Sequence, residues 1–220
     1  PGQGSQHPGM LDGVPENDTL SRLVDGAEAL SGLDLRRMAR DGSAQDLADT
    51  RVAQPLLYLT DWAWGVALLE SGLEPVAVAG HSLGEFAALA IAGVLSPEAG
   101  LELVIERSKL MAACVASVDG GMAAVLGLDN SVIAECVSSL SGVWVANDNS
   151  PGQVVISGTH PGIEAATAAL MAAGARRVVP LKVAGPFHSP LMEPAREAFE
   201  KILLSTELRD ATIPVAQNTE

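Results

Sequence analysis

Five residues, Pro75-Val76-Ala77-Val78-Ala79, run straight into Gly80-His81-Ser82-Leu83-Gly84, and helix formers take over from Glu85 to Ala92. A short apolar run without polar alternation is the pattern of a strand buried on both faces, as in a parallel sheet. The pentapeptide fits G-x-S-x-G, a sharp strand-to-helix turn that holds a serine hydroxyl clear of the backbone. Glycines on either side let strand and helix approach without side-chain clash. The helix then aims its N-terminal N–H groups at the serine, where an oxyanion would develop. The bare pattern also fits an ordinary glycine-rich βα loop. The strand before it and the helix after it are what make Ser82 a candidate nucleophile and the chain an α/β protein.

The rest of the chain surrounds that unit with further alternation. Helical patterns cover residues 19–30 and 55–70, and a Ser96-Pro97-Glu98 start opens a helix over 97–115. After Asp119-Gly120-Gly121 comes a compact series: strand 122–126, helix 131–140, strand 143–146, a turn at 149–152, strand 153–157, helix 161–173 and strand 177–183. This β-α-β-β-α-β order is that of a small ferredoxin-like unit. A helix over 191–205 and a strand over 213–216 follow. The expected organisation is a larger α/β domain (1–118 plus 185–220) interrupted by a small subdomain (119–184).

Charge narrows the function classes. Thirteen Lys and Arg against 27 Asp and Glu leave −14, so nothing can neutralise a run of phosphates and nucleic acid is excluded as a partner. No apolar run reaches the roughly 18 residues of a membrane helix, and the N-terminus shows no signal-peptide pattern. Cys114 and Cys136 form no framework of spacings and read as free thiols in a reducing, cytoplasmic setting.

A nucleophilic serine needs a base, and four histidines are available. His81 adjoins Ser82 on a tight turn, where neighbours project in different directions. His7 lies in a Gln-His-Pro loop and His160 at a helix start, where solvated or capping roles suffice. His188, in Gly185-Pro186-Phe187-His188-Ser189-Pro190, sits in a proline-stiffened loop between strand and helix, the best placement for a base. Arg107 follows Leu101, Leu103, Val104 and Ile105 on the 97–115 helix. It is either an ion-paired surface residue with Glu102 or Glu106, or a bidentate clamp for a substrate carboxylate.

Five blocks, in order and spanning essentially the whole chain, resemble the malonyl-CoA:acyl carrier protein transacylases and the related acyltransferase domains of polyketide synthases. They are Pro1-Gly2-Gln3-Gly4-Ser5-Gln6, Gly80-His81-Ser82-Leu83-Gly84-Glu85, Arg107 with Met111, the segment from Asn147 to Gly158, and Phe187-His188-Ser189-Pro190-Leu191-Met192. The resemblance implies an α/β-hydrolase-like large domain, Ser82 as nucleophile and His188 as base. It also implies the backbone N–H groups of Gln3 and Leu83 as oxyanion donors and Arg107 as the clamp on a malonyl carboxylate. His81, Asn147, Asn149 and Phe187 would line or shape the site. The bulk of Phe187 resembles the malonyl-selective version of that loop. No metal and no tightly bound cofactor is implied. Malonyl-CoA is the donor and the phosphopantetheine arm of an acyl carrier protein the acceptor, with a monomer expected. The family orients its histidine through a backbone carbonyl, expected beyond Glu220, and the family's first strand would precede Pro1.

Two other classes compete. A serine hydrolase or thioesterase of the α/β-hydrolase type shares the elbow but needs an acid between Ser and His in chain order, with Asp119, Asp129 and Asp148 as candidates by position. An inactive docking module would need neither Ser82 nor His188. An acidic carrier protein would require a local basic patch, with Arg36, Arg37 and Arg40 or Arg176, Arg177 and Lys182 as candidates.

Overall fold

The computed structural model describes residues 1–219. The chain divides into two compact units, residues 1–110 with 199–219, and residues 111–198. The first contains α1 (Asp18–Ser31), α2 (Leu35–Asp41), α3 (Ala44–Ala48), α4 (Thr50–Glu70), β1 (Val78–Ala79), α5 (Gly84–Ile91) and most of α6 (Pro97–Val115). The second contains β2 (Gly120–Leu126), α7 (Asn130–Ser138), β3 (Val143–Ser150), β4 (Gln153–Thr159), α8 (His160–Ala172) and β5 (Arg177–Pro180). A 3₁₀ turn at Pro190–Met192 leads into α9 (Glu193–Leu203), and β6 (Val215–Ala216) lies in the first unit.

Helix α4 is the centre of the first unit. Leu56, Leu57, Tyr58 and Leu59 are consecutive and all fully buried, as in a helix enclosed on every side. Around them pack Leu23 and Ala27 of α1, Leu35 of α2, Ala87 of α5 and Leu101, Val104 and Ile105 of α6. The buried Tyr58 hydroxyl donates to the Pro97 carbonyl at 2.7 Å, so the core retains no unpaired phenol. The helix starts at Thr50, before the proline-first start at 55 expected from the sequence. The Asp49 side chain caps it by accepting the Arg51 N–H, leaving Pro55 inside the helix. The short α2 and α3, seven and five residues long, were outside the sequence expectation. Their caps, Asp34 and Ser43, are local signals too brief for a periodicity to register.

The parallel sheet consists of β1 and β6, with Val78 opposite Val215 and Ala79 opposite Ala216. Both strands are shorter than the apolar runs that suggested them. Val78 N–H donates to the Pro214 carbonyl at 2.9 Å, but Pro214 has no N–H to give the Val76 carbonyl, the next acceptor of a parallel ladder, and the pairing stops there. Val76, inside the expected strand, is exposed.

The second unit is a four-stranded antiparallel sheet in the order β3-β4-β2-β5. Ile133 and Val137 of α7 and Ala166 and Leu170 of α8 pack with Ala123, Val125, Val143, Val154 and Ile156 from the strands. Strand β3 continues through the expected turn to Ser150, with register shifts at Val145/Asn147 and Asp148/Ser150. Those irregularities let the strand absorb extra residues and leave only Pro151-Gly152 for the reversal. The final helix of the expected pattern also splits, because Pro190 opens a 3₁₀ turn before α9 begins. The whole is α/β, one parallel and one antiparallel sheet. No helix of the described residues is long and apolar enough to cross a membrane.

Candidate active site

Strand β1 ends at Ala79 and α5 begins at Gly84, leaving four residues for the turn. Ser82 adopts φ +50°, a left-handed conformation that costs a side-chain-bearing residue about 1–2 kcal/mol. A side chain at Gly80 would run into the backbone of Gly84 and Glu85, so strand and helix meet only because glycine is there. The N-terminal loop packs on the same turn. A methyl group at Gly2 would lie 2.5 Å from the His81 carbonyl oxygen. Gln3 is therefore held one residue from the elbow. Among the described residues, no group accepts a hydrogen bond from the backbone N–H of Gln3 or of Leu83.

Arg107 reaches the serine from α6. Its guanidinium donates to Ser82 Oγ at 3.0 Å and to Gln54 Oε1 at 2.6 Å. It stands 5.9 Å from the Phe86 ring centre, within cation–π range. Burial pushes the Arg107 guanidinium down to about 10, with the Glu85 carboxylate pulling the other way, so it stays charged near neutrality. The surface ion-pair alternative is not what forms, since Glu106 pairs with Lys109 at 2.8 Å instead. Behind Arg107 the chain of contacts continues. Gln54 Nε2 donates to Thr50 Oγ1 at 2.6 Å, and that hydroxyl donates to Gln3 Oε1 at 3.2 Å. Thr50 and Gln54, four residues apart on one face of α4, are both buried.

Sequence reasoning missed Thr50 and Gln54. A signal existed for Gln54: it is the one polar side chain among residues 52–59 before the buried tyrosine, and a buried amide needs partners. Asn218 was missed as well, and nothing local marks it. Its side-chain oxygen accepts the Ser82 N–H at 2.9 Å.

His188 belongs to the second unit. It is exposed, at φ +56°. Ser82 and His188 are the two non-glycine residues with positive φ among the described residues. Backbone strain of this kind persists only where the surroundings enforce it, and it clusters at functional sites. The enforcing contacts are visible around His188. Phe187 is buried, its N–H donating to Gly185 O at 2.9 Å, and Ser189 Oγ donates to Pro186 O at 2.7 Å. A methyl group on Gly185 would come within 2.5 Å of the Val115 side chain, and Cys114 Sγ donates to Leu191 O at 3.4 Å.

The acyl transferase domain family model matches residues 1–220. The chain belongs to that family. It is 40% identical to the malonyl CoA-acyl carrier protein transacylase of Bacillus subtilis, over 99% of this chain and 70% of the relative. Among solved structures, a type II PKS acyl-carrier protein in complex with its malonyl-transacylase matches with a TM-score of 0.92 and 37% identity. It covers all of this chain and 73% of that one. An acyl carrier protein S-malonyltransferase from Vibrio cholerae matches with a TM-score of 0.90 at 37% identity, over 100% of this chain and 74% of that one.

Several other candidate residues of this acyl transferase are engaged locally. His7 Nδ1 lies 3.0 Å from Pro8 O, and His160 pairs with Asp119 at 3.2 Å on an exposed surface. Asp129 caps α7 through the Ser131 N–H, and Asp148 accepts from Asn130. Asn147 is half-buried opposite Val155, and Asn149 lies on the exposed end of β3. His81 is exposed. Arg36 is paired with Asp25 and Glu28, Arg37 with Asp34 and Arg40 with Asp41. Arg176, Arg177 and Lys182 are exposed, with no ion pair among the described residues. No group of three or more potential metal ligands occurs among the described residues.

Proposed function

We propose that this acyl transferase moves a malonyl group from CoA to the phosphopantetheine thiol of an acyl carrier protein through a malonyl-Ser82 intermediate. The observation that carries this reading is the Arg107 guanidinium hydrogen-bonded to the hydroxyl of an elbow serine. A cation at that place matches an acyl group with a second carboxylate, three bonds from the serine oxygen once the ester has formed. The relatives' names and the carrier-protein complex support the same assignment.

In this reading the Ser82 oxygen attacks the thioester carbonyl while its proton passes to the His188 imidazole. Negative charge collects on the carbonyl oxygen and is held by the N–H groups of Leu83 and Gln3, which are committed to no other group among the described residues. The carbon–sulfur bond breaks, and the CoA sulfur takes the proton from His188. The carrier thiol then gives its proton to His188 and attacks the ester, and the proton returns to Ser82 as the carbon–oxygen bond breaks. Arg107 holds the distal carboxylate throughout, selecting malonyl over acetyl. Phe187 limits room for an α-branch, and His81, Asn147 and Asn149 shape the surroundings. No resident metal or cofactor takes part, and the enzyme acts as a cytoplasmic monomer.

The same reading makes residues 1–118 with 185–220 an α/β-hydrolase-like catalytic domain and residues 119–184 a ferredoxin-like insertion. The strand order β3-β4-β2-β5 supports the second assignment. The test is intact mass. Exposure to malonyl-CoA is expected to add one malonyl group that Ser82→Ala abolishes, and added carrier protein is expected to remove it. Hydrolysis of malonyl-CoA with no acylated carrier would make the protein a thioesterase.

A further inference from the structure

Parallel pairing of Val78 with Val215 and Ala79 with Ala216 sets an offset that, continued two residues, brings Asn218 beside the nucleophile turn. The Asn218 side chain meets that turn from both sides. Its Oδ1 accepts the Ser82 N–H at 2.9 Å, and its Nδ2 donates to the Gly80 carbonyl at 2.8 Å. The same Nδ2 donates to the Glu85 carboxylate, which also accepts the Asn218 backbone N–H at 3.4 Å. One amide thus bridges the backbone before and at Ser82, and the first turn of α5 fixes the amide in place.

We propose that Asn218 is a positioning residue that holds Ser82 in its left-handed conformation, with Glu85 as its anchor. This rests on the reading of Ser82 as nucleophile. Left-handed backbone at a serine relaxes unless its neighbours enforce it, and a relaxed turn would swing Oγ away from its attack direction. The clasp has a second effect. By consuming the Ser82 N–H it leaves the next donor, the Leu83 N–H, which has no acceptor among the described residues, to take the oxyanion without competition from Ser82. Only an amide performs both parts, since each of its ends meets a backbone group of opposite polarity.

The experiment follows the rate of acyl-enzyme formation with malonyl-CoA, together with KM and thermal melting. Asn218→Ala is expected to slow acylation by about 10- to 100-fold, because a small misplacement of a reacting atom is costly. KM is expected to change by less than about threefold, since Arg107 still binds the carboxylate. Asn218→Asp loses both donors and sets two carboxylates against each other, and is expected to be slower still. Combining Asn218→Asp with Glu85→Gln restores the side-chain pair with donor and acceptor exchanged, and acylation is expected to recover by at least about tenfold over Asn218→Asp. A wild-type acylation rate in Asn218→Ala, a loss confined to KM, or a double variant no faster than Asn218→Asp would overturn the proposal. If Asn218→Ala does not fold, the comparison of Asn218→Asp with the double variant decides alone. Ser82→Ala separates the two levels. An acyl adduct persisting in that variant removes the nucleophile and this proposal with it, whereas its loss beside a normal Asn218→Ala removes only the clasp.

Discussion

The Gln54 amide oxygen accepts a 2.6 Å hydrogen bond from the Arg107 guanidinium, so the buried cation is fixed from behind by a neutral group. An acidic partner would have cancelled the charge. An amide orients it and leaves it electrostatically available, with the Ser82 hydroxyl on another nitrogen of the same fork. The proposed acyl-binding cation and the proposed nucleophile are therefore joined in one hydrogen-bonded chain, braced through Gln54 and Thr50 to the Gln3 side chain.

Arg107→Ala is expected to lower malonyl transfer by about 30- to 1,000-fold, the effect of losing a desolvated charge-assisted pair. Acetyl transfer is expected to improve relative to malonyl, since acetyl never used the cation. Gln54→Glu is expected to act in the same direction by neutralising Arg107 in place. Initial rates with acetyl- and malonyl-CoA decide, and equal losses for both would remove the clamp.

His188→Ala is expected to slow acylation by about 10²- to 10⁴-fold, the usual contribution of a general base. His81→Ala is expected to leave most of the rate, because its ring adjoins the nucleophile on a turn that sends neighbouring side chains apart. Single-turnover acylation of both variants is the measurement, and the opposite ranking would move the base to His81.

Reversal of Arg176, Arg177 and Lys182 to Glu is expected to raise the KM for the carrier protein by about 3- to 30-fold, the range of interface charges. The same change at Arg36, Arg37 and Arg40 is expected to do little, because each of those cations already faces its own acid. The malonyl-CoA KM is the internal control. A larger effect at the second cluster would relocate the docking surface.

Asp61, on α4, is largely buried, and its Oδ2 makes no hydrogen bond among the described residues. Burial pushes its carboxyl up to about 6. The fold thus prefers the neutral acid. The stability this contributes is complete below the ordinary value of 3.8 and is lost as pH rises through about 6. Asp61→Asn is expected to match the wild type near pH 4 and to exceed it above pH 7 by about 1–3 kcal/mol. Parallel melting curves across that range would show that Asp61 is solvated when charged.

The elbow was legible because its demands are local. A strand, a turn too tight for side chains at Gly80 and a helix start all fall within residues 75–92, and they leave their marks in sequence order. The α6 boundaries and the β-α-β-β-α-β order could be read for the same reason. Strand lengths could not, because an apolar run shows what is suited to pairing and not how far a partner extends. Pro214 ended the pairing of β1 from more than 130 residues away. The chain taken alone singled out the residues proposed to bear chemistry: a serine on an elbow, a histidine in a stiffened loop, an arginine among apolar neighbours. The tertiary structure decided how Ser82 and Arg107 are held. Gln54 reaches Arg107 only because α4 packs against α6, and Asn218 reaches Ser82 only through the β1–β6 register. Those positions are set by packing between segments far apart in the chain, and no periodicity within either segment encodes them.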